Sequence, residues 1–466
     1  MGDDSDPARG WSDLPSDLLV SVLSLLQLPD LFASAAVCRA WRAACAAVRR
    51  HGLLSPVQAP YLVYSSGDRD SNTATLHNIS TGKVYHAALP DPPFRSRYVV
   101  GSSRGWLVTA DEQCNLHLLN PVTGSQVALP PPATIKGVTP SFTGDGVLSG
   151  FCFVNPAADP ARMVDGGGHR PDFRRSKKAR QYLYEKAVLS SDPSSGDCIV
   201  LLVHQPWEHL SFTRIGDTTW TWLGAMENCR FYHDIFYNDD DGLFYAIRGF
   251  GEIHTIDLNG PSPVVKTIFR VESRVIYGIK YLVRAPWGDL LQVHREYRDP
   301  PQGVPYSSDD ECESCNQDVE DSSSNEQKFD EEGSTFGVEQ DFDEEGCNLL
   351  DEQGSYEVDT TGEVTVHKID LVEQKVTEIK CLQDHALFIG FNSTFMLHCG
   401  DFPNLTPNCV YVTDDYTECI YCFPNTERQL ACVNLEDGSF TDLALSDSLL
   451  NWPPPVWLRP SCLLHK

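Results

Sequence analysis

Hydrophobic positions divide the chain into two textures. From Trp11 to Leu53 they follow helical spacing: Pro15 and Asp17 open a run of Leu18, Leu19, Val20, Val22, Leu23, Leu25 and Leu26, interrupted only by Ser21, Ser24 and Gln27. At about 100° per residue those three polar side chains span roughly a third of the circumference, so this helix is apolar nearly all round. Pro29 followed by Asp30 marks a second helix start, and Val37, Trp41, Cys45 and Val48 form the stripe of a third. Three short helices in about 40 residues cannot bury that much leucine among themselves. The surplus needs a cover, and spacing alone leaves open whether a partner or the rest of the chain supplies it.

After Tyr61 the texture changes to short apolar strands punctuated by Gly, Pro, Asn and Asp every 8 to 12 residues or so, the pattern of an all-β sandwich, barrel or propeller. Leu76-His77-Asn78-Ile79-Ser80-Thr81-Gly82, followed by Leu89-Pro90, is echoed by Leu119-Asn120-Pro121-Val122-Thr123-Gly124, followed by Leu129-Pro130, and the two glycines are 42 residues apart. That is the length of a propeller blade. Phe244 to Ile247, the turn at Gly249 to Gly251 and Ile253 to Leu258 repeat the strand, turn and strand, while Val364 to Leu371 and Leu430 to Leu435 supply similar strands. The length of this region predicts six to eight blades, with seven the favoured count.

Composition changes the picture at one place. The net charge of −29 over 466 residues suggests an acidic protein, yet residues 307–363 hold 21 acids against one base, Lys328, and so carry −20 of it. Phe329-Asp330-Glu331-Glu332-Gly333 recurs there as Phe342-Asp343-Glu344-Glu345-Gly346. Such a composition does not repay the entropy of ordering, so a disordered insertion is expected, either a solvated loop or a bait for a basic partner. The opposite charge gathers in Arg170, Arg174, Arg175, Lys177, Lys178 and Arg180 after three glycines. This reads as an exposed basic loop, either a solvated surface or a nuclear import signal, a phosphate-contacting patch or an intramolecular partner of the acidic segment.

Two resemblances follow from motifs. Leu14-Pro15-Ser16-Asp17-Leu18-Leu19, then Asp30-Leu31, then Val37-Cys38-Arg39-Ala40-Trp41-Arg42 resembles the F-box. The resemblance implies docking on the Skp-family linker of an SCF ubiquitin ligase, and through it on a cullin scaffold. Carried over by position, Leu14, Pro15, Leu18, Val22, Val37, Cys38 and Trp41 are the expected Skp-binding residues or their immediate support. The second resemblance is at the other end. Leu387-Phe388-Ile389-Gly390-Phe391-Asn392-Ser393-Thr394-Phe395, Asp401-Phe402-Pro403, Pro407 to Asp415, Leu435 to Ser439 and Trp452-Pro453-Pro454-Pro455-Val456-Trp457 look like the C-terminal half of a plant domain of KIB type, a β-propeller usually preceded by an F-box. Val412 stands where that pattern carries an aromatic residue, and the acidic insertion is longer than the pattern leads one to expect.

The remaining chemistry is thin. Cys312-Glu313-Ser314-Cys315 and Cys419-Ile420-Tyr421-Cys422 are over 100 residues apart, against about 12 to 20 in usual zinc sites. No His-Glu-x-x-His and no phosphate loop is present. No run of about 20 apolar residues and no signal peptide appear. The expectations are therefore a mainly β chain: an F-box helical module at 11–53, a β-propeller at 60–460 and a disordered insertion at 307–363. It is expected to be a non-catalytic receptor without metal or cofactor, acting in nucleus or cytoplasm, with an unknown client, no membrane contact and no nucleic acid. The alternative is a propeller hydrolase or carbohydrate-binding protein anchored to a partner by its helices.

Overall fold

The leucine-rich N-terminus folds into three helices, α1 (Ser16–Leu23), α2 (Leu28–Ser34) and α3 (Arg39–Arg50). The computed structural model describes residues 11, 14–54, 58–65, 72–154, 172–224, 230–271, 278–297, 361–422, 428–443 and 452–460. Pro15 precedes α1 in extended geometry, Asp17 lies in the first turn, and Pro29 sits at the start of α2, where a missing N–H costs nothing. Leu19, Leu23, Leu31, Ala44, Cys45 and Val48 close into the small core of this module.

The remainder is built from short antiparallel sheets. The first blade holds β1 (Tyr61–Ser65), β2 (Thr73–Asn78) and β3 (Val84–Ala88); the second holds β4 (Tyr98–Ser103), β5 (Trp106–Ala110), β6 (Leu116–Leu119) and β7 (Gln126–Ala128). A three-stranded sheet of β8 (Val138–Phe142), β9 (Leu148–Phe153) and β10 (Asp172–Arg175) then leads into α4 (Ser176–Leu183). The third blade is β11 (Tyr184–Leu189), β12 (Ile199–His204), β13 (His209–Arg214) and β14 (Thr221–Trp222). The fourth is β15 (Tyr232–Asn238), β16 (Leu243–Arg248), β17 (Ile253–Asp257) and β18 (Val264–Phe269). In the fifth, β19 (Ile279–Arg284), β20 (Leu290–Tyr297), β21 (Thr361–Asp370) and β22 (Lys375–Ile379) pair in order. The sixth carries β23 (His385–Ile389), β24 (Phe395–His398), β25 (Cys409–Thr413), β26 (Leu430–Asn434) and β27 (Phe440–Asp442), with α5 (Thr417–Cys422) between β25 and β26. Finally β28 (Val456–Leu458) pairs with β1, Tyr61 opposite Leu458, so both ends of the propeller share one blade.

Contacts between sheets give the ring order. Leu189 N donates to Ser103 Oγ at 3.2 Å, so β4 and β11 are neighbours. Asp234 on β15 takes Lys186 of β11 at 2.5 Å and Leu282 N of β19 at 2.8 Å. Arg295 of β20 donates to Thr413 O at 2.7 Å, and Phe388 of β23 meets Trp457 of β28 edge to face. Ser102 of β4 donates to Trp457 O, which closes the circle. Among the described residues six sheets therefore form the ring, the lower end of the expected six to eight. The β8–β10 sheet lies outside it, and counting that stretch of sequence as a blade accounts for the favoured seven.

The repeated turns have a local cause. Asn78 Oδ1 accepts from Ser80 N and Thr81 N, Asn120 Oδ1 accepts from Val122 N and Thr123 N, and Gly82 and Gly124 both take φ near +71°, which glycine adopts at no steric cost. Near the axis strands are buried on both faces, as in β4 and β12, whereas the outer β3 alternates and β27 is exposed throughout. Gly101 marks a close approach between blades: a Cβ there would lie 2.6 Å from Ala187 O of the next blade. Of the acidic segment, residues 307–360 lie outside the described residues, while Thr361 already begins β21, before the expected end of the insertion at 363.

Candidate functional site

The helical module buries one side of α1 and leaves the other open. Leu19 and Leu23 face the core, while Leu18, Val22 and Leu25, at i, i+4 and i+7, are 50 %, 48 % and 79 % exposed. Val37, 64 % exposed before α3, and the exposed Trp11 belong to the same surplus. Of the residues predicted for the partner surface, Pro15, Leu18, Val22 and Val37 lie open to solvent, and Leu14, Cys38 and Trp41 are half-buried. Leu14 and Trp41 pack on the module core, and Trp41 Nε1 donates to Trp11 O at 3.3 Å. Leu25 was missed, although the period that singles out Leu18 and Val22 points to it as well.

The module's opposite side is tied to the propeller. Asp30 of α2 accepts from Tyr85 OH of β3 at 3.0 Å and pairs at 3.1 Å with Lys83 Nζ, one residue before that strand. Gln27 and Gln58 exchange amide contacts with the backbone: Ala59 N donates to Gln27 Oε1 at 2.8 Å and Leu28 N to Gln58 Oε1 at 3.0 Å. The surplus leucines are thus not covered by the β domain.

Along the axis, residues 390–394 cross the centre of the ring. Gly390 O accepts from Lys186 Nζ at 3.1 Å, Ser393 N donates to Ser102 O at 2.7 Å, and Thr394 Oγ1 donates to Asp234 Oδ2 at 3.2 Å. On one side of this plug, at the ends of β4, β11 and β15 and next to Leu28 and Gln58, is a cavity of about 590 Å³. On the other, at the starts of β11, β15 and β19, is one of about 400 Å³. Glu185, Gln205, Glu208, Tyr297, Asp415 and Tyr416 are among its walls. Gln205 Nε2 donates to both Glu185 and Glu208 at 2.9 Å, and Tyr297 stacks on Tyr416 with ring centres 4.5 Å apart. Burial, and then the neighbouring Glu208, push the Glu185 carboxyl up to about 7; burial also raises Glu208. Asp415 is held structurally by Tyr281, Tyr297 and Arg295, and Asp414 by Arg428. Sequence reasoning missed Glu185 and Glu208; a charged pair, Glu185-Lys186, inside an otherwise apolar strand was the available signal.

The basic run is not the expected exposed loop. Arg170 lies outside the described residues, Arg174 and Arg175 are on β10, and Lys177, Lys178 and Arg180 are on α4. Lys178 Nζ donates to Tyr421 O at 3.0 Å and lies over its ring, and Arg174 reaches Tyr421 OH at 3.3 Å. Arg180 is buried, 5.2 Å from the centre of the Trp452 ring, and donates to Ser96 O. Only Arg175 and Lys177 of the described cations are exposed. The reason is that Ala179 and Leu183 form an apolar face, which pulls the segment onto the sheet as a helix. The Trp452 to Trp457 run likewise folds back: Trp457 is fully buried and Trp452 stacks on Tyr98. Among the described residues no group of His, Cys, Asp and Glu could hold a metal, and no helix is long and apolar enough to cross a membrane.

Residues 11–49 match an F-box-like domain and residues 76–433 match the KIB1-4 beta-propeller family. Putative F-box protein At5g55150 of Arabidopsis thaliana is 24 % identical over 62 % of this chain and 68 % of its own. F-box only protein 7 of the same plant is 26 % identical over 54 % and 59 %, and F-box/kelch-repeat protein At1g57790 is 34 % identical over 26 % and 32 %, so the chain spans less than two thirds of these two relatives. AztD from Citrobacter koseri, a solved structure, aligns over 86 % of this chain and 98 % of its own at 9 % identity, with a TM-score of 0.31, too low to bear on function. The ring of six blades, the helical module before it and a family match that spans most of the chain agree: this protein belongs to the KIB1-4 beta-propeller family and carries an F-box-like domain at its N-terminus.

Proposed function

We propose that the protein is a non-catalytic substrate receptor of an SCF-type ubiquitin ligase. Its helical module docks on a Skp-family linker, which joins it to a cullin, and its propeller holds a client protein in nucleus or cytoplasm. The observation that carries the reading is the two-sidedness of the module. One side is tied to the propeller through Asp30, Gln27 and Gln58, and the other presents Leu18, Val22, Leu25 and Val37 to solvent. Such an apolar strip is costly in water and marks a protein interface. F-box proteins generally act in this way, and the plant relatives described above are named as F-box proteins.

Each apolar side chain buried in an interface contributes about 1.5–3 kcal/mol, so Leu18→Asp with Val22→Asp should weaken capture of a Skp-family protein by at least about 100-fold. Both side chains lie outside the module core, so the melting temperature should hold. Undiminished capture by a variant that melts like the native chain overturns the docking assignment.

A further inference from the structure

We infer that the cavity of about 400 Å³ at the axial mouth facing away from the helical module receives a basic side chain, lysine or arginine, from a segment of the client protein. The inference rests on the receptor reading above and names the chemistry its propeller would recognise.

The argument begins with how this protein treats its other axial carboxylates. Asp234 has Lys186 at 2.5 Å, Asp415 has Arg295 at 3.0 Å and Asp414 has Arg428 at 3.5 Å, so each carries its own cation. Glu185 and Glu208 differ. They share one neutral donor, Gln205 Nε2, at 2.9 Å each, Glu185 has the Thr417 hydroxyl besides, and no described residue forms an ion pair with either. Two carboxylates within reach of one nitrogen repel each other, and a cation between them relieves that repulsion where partial burial weakens screening.

The surrounding surface suits a cation on a long apolar stem. Tyr297, with the Arg295 guanidinium already over its ring, and the Tyr416 stacked on it offer apolar ring surface in the cavity wall to the methylenes of such a side chain. Lys186 lines the cavity, but its Nζ is already taken by Asp234 and Gly390 O. Arg295 is likewise occupied by Asp415 and Thr413 O. Neither therefore opposes the incoming charge strongly. The volume falls within the range of pockets that enclose small groups, and it opens at the strand starts, the end of the scaffold away from the N-terminal helical module. A client held there does not compete with the linker for space. The raised carboxyls of Glu185 and Glu208 are a consequence of the same geometry.

The test uses the full chain bound to a Skp-family protein and a phage-displayed library of random octapeptides. Selection should enrich lysine or arginine at one position, and replacing that residue by glutamine in the selected peptide should lower its affinity at least tenfold. Glu185→Gln with Glu208→Gln should abolish the preference while Skp capture stays as in the native chain and the melting temperature is not lowered. No basic enrichment, or a peptide indifferent to the two substitutions, overturns the assignment. So does a native chain that spermidine shifts in melting but from which no peptide is selected, since the cavity then serves a small amine. Skp capture that fails while basic peptides are still selected sinks the receptor reading and leaves the cavity's chemistry standing.

Discussion

Glu185 shows how one side chain can carry a cost in stability that serves binding. Its carboxyl is pushed up to about 7 in the folded chain from an ordinary value of 4.5, first by burial and then by Glu208. A carboxyl raised in this way contributes stability that is fully present below about pH 4.5 and lost as pH rises through about 7, because the unfolded chain releases the proton first. Scaled down for its partial exposure, the loss is on the order of 2 kcal/mol. The isosteric Glu185→Gln has no proton to lose. Its stability relative to the native chain should therefore rise by about 2 kcal/mol between pH 4.5 and pH 8, measured by urea unfolding at both values. A difference that does not change with pH would mean that Glu185 ionises as freely folded as unfolded. A retained cost of this kind is typical of sites that are completed by a ligand.

At the scale of elements, α4 separates what local sequence reveals from what it hides. The hairpin turns at Asn78 and Asn120 were legible because cause and effect lie within five residues: an amide side chain caps two backbone N–H groups and a glycine takes positive φ. The open face of α1 was legible as too much leucine for three helices. At the β10–α4 junction five cations between 174 and 180 masked the spacing of Ala179 and Leu183, and the partners that bury Arg180, Ser96 and Trp452, are 84 residues before it and 272 after it. A shorter separation, 20 residues, hid the grouping of Glu185 with Gln205 and Glu208, which only the closing of the third blade assembles. Arg180→Ala removes a charged hydrogen bond and the packing of its stem, and should cost about 3 kcal/mol in urea unfolding. Lys177→Ala, on the exposed side of the helix, should stay within about 0.5 kcal/mol. Equal effects from the two would restore the basic run to a surface loop.

For the whole molecule, the charge of −29 and the stability of the ring are separable. Leu290 pairs with Ile369 and Tyr297 with Thr361, so the chain leaves β20 and re-enters β21 at directly opposed positions. Adjacent strands lie about 5 Å apart, a gap that a turn of a few residues closes. Joining those strands through the native stretch of 63 residues, 298–360, rather than through about five costs about 2 kcal/mol of closure entropy by the logarithmic rule. We expect that replacing residues 301–358 by a short Gly-Ser linker stabilises the chain by about that amount and raises its melting temperature by a few degrees. The change removes 19 acids and Lys328 and leaves a net charge of −11. Skp capture should be unaffected, because the apolar strip on α1 lies on the helical module and is independent of β20 and β21. A deletion that fails to fold would show that the acidic segment contributes contacts to the fifth blade. A deletion that folds but no longer binds a client would assign the segment to recognition, where its charge would draw basic partners toward the propeller and the carboxylates at its axial mouth would select among them.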